Sequence, residues 1–117
     1  MMTAKRFKLQ AEDIRPIAPG RGACFATDRI AVHGEKVRFM YREQPDKEID
    51  SGWRFMSGSE SQDYMDDPGN TAIYDVNTIA NYDADIVPFL DAPVGAAFER
   101  DDPSGPFVAV DFEPLPD

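Results

Sequence analysis

Cys24 and His33 are the one cysteine and the one histidine of the chain. A hydrolytic nucleophile with its base would have to be built from that pair. Their surroundings argue against it. Cys24 lies inside the apolar run ACFAT, where a thiol serves as a small buried hydrophobe rather than an activated thiolate. His33 precedes Gly34 at a turn signal and reads as a solvated loop residue. Carboxylates are the other reactive groups. Asp66, Asp67 and Asn70 lie close together, as do Asp83 and Asp85, and hard cations take oxygen ligands of this kind. The spacing does not fit the calcium loop D-x-[DN]-x-[DN]-G-x5-E, and there is no Cys/His set for zinc. Acids beside Pro and Gly are ordinary turn formers, so no metal and no cofactor is assigned. Paired carboxylates could do acid–base work as in glycosidases. Nine acids lie between Arg54 and Arg100, and nothing singles out one pair. The stretch PGRGACF meets neither glycine-rich phosphate pattern.

The elements that would carry these residues are short and closely punctuated. RFKLQ (6–10) alternates and suggests a strand, followed by a loop marked by Pro16, Pro19, Gly20 and Gly22. ACFAT reads as a second strand. In KVRFMYRE, Val37, Phe39 and Tyr41 share one face and Arg38, Met40 and Arg42 the other. In GWRFMSG, Trp53 and Phe55 repeat the apolar face against Arg54 and Met56. The two runs predict a hairpin whose aromatic face, Trp53 included, packs on the core and whose other face presents three arginines. Ser59 with Gln62 matches a capping box for a short helix ending at Asp66-Asp67, where two acids oppose the helix dipole. TAIYDV predicts a strand. NTIANY and DADIVPFL predict helical turns capped by Asn77 and Asp83, the second distorted by Pro88. GAAFER and PFVAVDF predict a terminal hairpin. The expectation is an α+β fold: a mainly antiparallel sheet of about six strands with two or three short helices. It forms a single domain over 1–117, with an N-terminal strand and loop over 1–21 and an extended tail over 113–117.

Charge is the most informative property. Residues 1–54 hold eleven basic and eight acidic side chains, a net of +3; residues 55–117 hold fourteen acids and only Arg100, a net of −13, and the two sum to the overall −10. Even complete pairing between the halves would leave about ten acids unmatched, and burying an unpaired carboxylate costs several kcal/mol. Most must therefore face water. Such a field repels phosphate backbones, which argues against a nucleic-acid partner, and attracts basic proteins. No apolar run approaches the ~20 residues needed to cross a membrane, and MMTAKRFKLQ has no apolar stretch that would make it a secretory signal. A lone cysteine fits a reducing cytoplasm. Acids of the segment 59–91 alternate with Tyr64, Met65, Tyr74 and Tyr82, side chains of the type that anchor interfaces. Arg38, Arg42 and Arg54 are either solvated or covered by this acidic segment as an internal ionic layer, and the second arrangement relieves more repulsion.

The segments ACFATDRI, VRFMYREQP, DSGWRFMSG, YMDDPGN, IYDVNTIANYDADIVPFLD and PVGAAFERD, taken in order, resemble the immunity protein 33 domain family over about residues 22–112. Gly-Trp-Arg-Phe, Asp-Asp-Pro and Asn-Thr-Ile-Ala-Asn-Tyr are the most specific steps. Ser59 stands where an acid would be expected after Ser-Gly. The resemblance implies a bacterial polymorphic toxin system in which a non-enzymatic cytoplasmic protein binds and neutralises a cognate toxin. With the charge pattern, it implies a toxin with a basic surface met by Asp63, Asp66, Asp67, Asp83 and Asp85, with Tyr64 and Tyr82 as anchors. Two other classes remain open at this point: a small carboxylate-based metal-binding or enzymatic module, and a structural interaction domain whose charge serves solubility.

Overall fold

The computed structural model describes residues 6–45 and 47–111. Six strands form one mixed sheet: β1 Ala23–Thr27, β2 Phe39–Arg42, β3 Asp50–Met56, β4 Thr71–Asp75, β5 Ala97–Glu99 and β6 Val108–Val110. Their spatial order is β4-β1-β3-β2-β5-β6. Every neighbouring pair is antiparallel except β1 and β3, which run parallel. The expected α+β class with a mainly antiparallel sheet is therefore observed. The parallel pair was not foreseen. It arises because β1 is followed by the short helix α1 (Asp28–Ala31) and a crossover before the β2–β3 hairpin adds β3 beside β1. Two further helices, α2 (Gln62–Asp66) and α3 (Val76–Tyr82), and 3-10 turns at Ala11–Asp13, Pro68–Asn70 and Ala84–Phe89 complete the described elements.

Both predicted hairpins, β2–β3 and the terminal β5–β6, form where the alternation places them, and TAIYD becomes the β4 edge. Residues 6–10 form no strand. Their alternation is genuine, but among the described residues the run makes a single backbone–backbone bond to another element, from Lys8 N to the Ala31 carbonyl. Residues 113–117 lie outside the described part. Caps shift by about two residues. Ser61, not Ser59, caps α2 by accepting from Tyr64 N, and Asp75, not Asn77, caps α3 by accepting from Asn77 N. Asp83 caps the 84–89 turn as expected, through Asp85 N.

A continuous core joins Cys24 and Ala26 of β1, Met40 of β2, Trp53 and Phe55 of β3, Ile30 of α1, Ile79 of α3 and Ile86 of the last 3-10 turn. Trp53 packs there at 1% exposure, donating its indole N–H to the Leu90 carbonyl. The face of β2 is reversed from expectation. Met40 is fully buried opposite Phe55, and Arg42 lies opposite Trp53, whereas Phe39 and Tyr41 are half-buried on the far side with Arg54. The run Phe-Met-Tyr offers apolar groups to both faces, so a period of two cannot choose between them. Trp53 and Phe55 already fill the core side, and the thin methionine fits the space left.

The arginines are likewise not covered by the acidic segment as one layer. Arg42 crosses the Trp53 ring at 5.7 Å and donates to the carbonyls of Ser51 and Ala92. Arg38 reaches the Arg100 carbonyl at 3.4 Å. Arg54, on the opposite face, pairs with Asp50 and Glu43 of its own hairpin. Backbone carbonyls satisfy Arg38 and Arg42, and acids of its own hairpin satisfy Arg54.

Candidate interaction surface

Four of the seven residues singled out from sequence, Asp63, Tyr64, Asp66 and Asp67, stand together on the α2 turn. Asp63, Asp66 and Asp67 are all exposed, and among the described residues none of them forms an ion pair with a basic side chain. Local hydrogen bonds fix two of them. Asp66 accepts from the Gln62 amide at 2.8 Å, and Asp67 accepts from Gly69 N at 2.9 Å. Asp67 thus ends α2 and begins the 68–70 turn, so its charge meets the N–H end of the next turn, which offsets the unfavourable dipole behind it. Tyr64 is half-buried. The Arg29 guanidinium lies 4.8 Å from its ring centroid, and its hydroxyl is enclosed without a hydrogen-bond partner among the described residues. Burial, with help from Asp28, pushes that hydroxyl above its ordinary pKa.

Tyr82 and Asp83 do not belong to an exposed surface. The Tyr82 hydroxyl donates to the Ala31 carbonyl at 2.6 Å and accepts from Leu9 N at 3.0 Å, bracing α3 against α1 and the N-terminal segment. Asp83 is 2% exposed. One of its oxygens accepts from Arg100 at 2.6 Å and from Val37 N at 3.0 Å, and the other accepts from Asp85 N. Arg100 also donates to Asp85 at 2.9 Å and to the carbonyls of Val37 and Gly105, with its guanidinium over Phe107. Asp85 keeps most of its carboxylate in water. The signal was in plain view: a lone basic residue in a long acidic stretch is where the fold neutralises what it must bury.

Sequence reasoning missed the composition of the sheet face turned away from the core. α1, α3 and the 84–89 turn pack on the Trp53 side. On the other side, one residue from each strand falls into register as the row Ile73, Phe25, Arg54, Tyr41, Ala97 and Val110. Arg54 at its centre is almost fully buried. Its guanidinium lies 4.5 Å from the Phe25 ring centroid, receives a two-point contact from Asp50 at 2.9 Å, and bonds Glu43. Burial opposes the charge, but the two carboxylates more than compensate and keep Arg54 protonated. Burial, then Glu43, push the Tyr41 hydroxyl up. A concavity of about 250 Å³ opens here between Phe25, Tyr41, Arg54 and Met65, which brings α2 to the rim of the face.

Chemistry has less to work with. Cys24 is buried on the core side, and burial, then Asp75, push its thiol far above the ordinary range, so it is no nucleophile. His33 is exposed. Among the described residues no group of three His, Cys, Asp or Glu is placed to hold a metal ion, and no helix is long and apolar enough to cross a membrane.

The immunity protein Imm33 domain matches residues 24–111, about three quarters of the chain. The chain belongs to the Imm33 family. No curated protein and no solved structure shows a match. The Imm33 region holds nearly all of the sheet, α2, the Arg100 latch and the row through Phe25, Arg54 and Tyr41. The segment before it is tied on by two amides of α3. Asn77 accepts from Ile17 N and Ala18 N and donates to the Arg15 carbonyl, while Asn81 accepts from Arg15 N and donates to the same carbonyl.

Proposed function

We infer that this Imm33 chain is a non-enzymatic cytoplasmic binding protein that neutralises a cognate toxin of a polymorphic toxin system by covering a basic surface on it. One observation carries the reading: in a chain of this immunity-protein family, the α2 turn holds Asp63, Asp66 and Asp67 at the surface with no cationic partner among the described residues. Asp85 adds a partly exposed carboxylate, and Tyr64 supplies the adjoining ring. Tyr82 and Asp83 leave the contact set because their polar atoms are already used inside the fold. Long-range attraction raises encounter rates by ~10–10³-fold and weakens with salt. Contacts that exclude water then set the lifetime of the complex.

The test is co-expression with the polypeptide encoded beside this gene, followed by association kinetics over a salt series. The double variant Asp66→Asn/Asp67→Asn keeps the local hydrogen bonds, since asparagine caps as well as aspartate. It is expected to associate more slowly and with a flatter salt dependence while melting as the parent does. Unchanged association and salt dependence would remove α2 from the contact.

A further inference from the structure

We propose that the partner attaches at the free edge of β4. An extended segment of the toxin, apolar at its middle residue and basic at its flanks, pairs with β4 as an added strand. This names a binding mode for the toxin-binding reading and rests on it.

β4 and β6 end the sheet. An edge strand presents unpaired main-chain groups to any suitable chain, and proteins guard such edges by shortness, lysine, proline or a bulge. β6 is guarded by length, at three residues. β4 runs five, Thr71–Asp75, with no lysine, no proline and an unbroken register against β1. Val76 N donates to the Gly22 carbonyl at 2.9 Å, which fixes the phase of the ladder. Bonded positions alternate along an antiparallel pair, so Tyr74 and Ala72 bond β1 across from Cys24 and Ala26. The N–H and C=O of Ile73 and the N–H of Asp75 therefore turn outward, and among the described residues no main-chain group meets them. The Thr71 N–H is taken by the Pro68 carbonyl, so the free groups centre on Ile73, which is 64% exposed.

Side chains and charge select the occupant. Strand addition takes its affinity from main-chain bonds and its specificity from alternate side chains. A residue set beside Ile73 falls on the same side of the sheet as Ile73, which lines an apolar cavity of about 170 Å³ with Ile49, itself 70% exposed. An apolar side chain suits that position. The edge is acidic at both ends, with Asp66 and Asp67 exposed just before Thr71 and Asp75 exposed at the last position. Lys47 is the one basic side chain lining the cavity. Lysines or arginines that flank the apolar residue therefore meet carboxylates. A second copy paired antiparallel about Ile73 would bring Asp75 of each chain toward the Asp66–Asp67 end of the other, and like charge opposes this. The two parts have separable roles: the α2 acids govern how fast the partner arrives, and the edge bonds govern how long it stays.

The experiment measures amide exchange of the full chain alone and in complex with the adjacent-gene polypeptide, together with the binding kinetics of Ile73→Pro and Ile73→Thr. Proline at 73 removes an outward N–H and none that bonds β1, which an edge strand tolerates. Ile73→Thr keeps every main-chain group and a β-branched side chain, so it folds even if Ile73→Pro does not; melting curves check both. The expected result is exchange at Ile73 and Asp75 slowed by roughly tenfold or more in the complex. Dissociation is faster by roughly tenfold for Ile73→Pro and by less for Ile73→Thr, with association nearly unchanged. A complex in which both amides exchange at the free-chain rate, or a folded Ile73→Pro that dissociates as the parent does, overturns the edge pairing and leaves the toxin-binding reading standing. Protection that grows with the concentration of the chain alone gives the edge to a second copy and overturns the proposed occupant. Absence of binding by the parent chain overturns both the edge pairing and the toxin-binding reading.

Discussion

Arg100 and Asp83 form an ion pair at 2.6 Å in which both side chains are almost wholly withdrawn from water, at 1% and 2% exposure. The pair joins β5 to the start of the 84–89 turn, and its remaining donors and acceptors reach Val37, Asp85 and Gly105. Desolvating two ions is costly, and such a pair is tolerable because nearly every lone pair and N–H finds a partner. Breaking it from either side is therefore far worse than its net contribution suggests. Asp83→Ala leaves a buried guanidinium facing an apolar gap, and Arg100→Leu leaves a buried carboxylate. Each is expected to destabilise the fold by about 3–5 kcal/mol. Chemical denaturation measures this, and a loss below 1 kcal/mol for both would show that water reaches the pair.

Glu60 makes a second buried-edge contact with a different consequence. Its carboxylate accepts from Thr27 Oγ1 and from the N–H groups of Ser57 and Gly58. Burial pushes its pKa up, but these donors outweigh burial and hold it below the ordinary range. A carboxylate whose folded pKa is depressed takes up fewer protons folded than unfolded. Its stabilisation is thus complete above the unfolded value of about 4.3 and lost as pH falls through the folded one. Glu60→Gln is expected to lower stability at neutral pH and to flatten the decline in that acidic window. Parallel pH–stability curves for parent and variant would sink the assignment.

Much of the strand layout was legible because turns punctuate the chain sharply and the runs between them alternate. Face choice was not legible where apolar groups occur on both sides. Phe39-Met40-Tyr41 is the case in point, and the sheet register alone decides it. The acidic segment misled for a related reason. Sequence shows that carboxylates are plentiful, but not that Asp83 is the one drawn inward by Arg100, 17 residues away. Asp63, Asp66 and Asp67 were more readable, since an N-cap, a turn and a proline pin them to a surface corner. The row through Phe25, Arg54 and Tyr41 comes from three separate strands, one of them parallel, and no local pattern could bring it together.

Gly52 carries the bend that makes the row possible. Its φ is +88°, and a Cβ there would lie 2.3 Å from the Glu43 carbonyl oxygen. The β1–β3 register slips here, between the Ala23–Asp50 and Phe25–Arg54 pairs, and Gly52 N bonds the Asp50 carboxylate. Any side chain must both adopt a left-handed conformation and displace main chain. Gly52→Ala is expected to cost at least ~2 kcal/mol and to disturb the Asp50–Arg54 fork beside it. Thermal melting measures the first effect, and amide shifts of Arg54 and Phe25 report the second. A variant as stable as the parent would mean that the hairpin can relax around the new methyl.

Asn77 and Asn81 offer a contrast, because they act on a segment that buries little. From residue 11 to 20 only Ala18 is buried, so the α3 carboxamides supply much of what holds Arg15 to Ala18 in place. Hydrogen bonds that water can replace contribute about 0.5–1.5 kcal/mol each, and a weakly packed segment opens on its own without the rest of the fold. Asn77→Ala is therefore expected to speed exchange of the Ala18 amide by about tenfold, and Asn81→Ala that of Arg15, with little change in global melting. Exchange in β3 should stay at the parental rate in both variants. If instead β3 amides accelerate in step with Ala18, the N-terminal segment is part of the cooperative unit, and its attachment is not the local tie that the hydrogen-bond pattern describes.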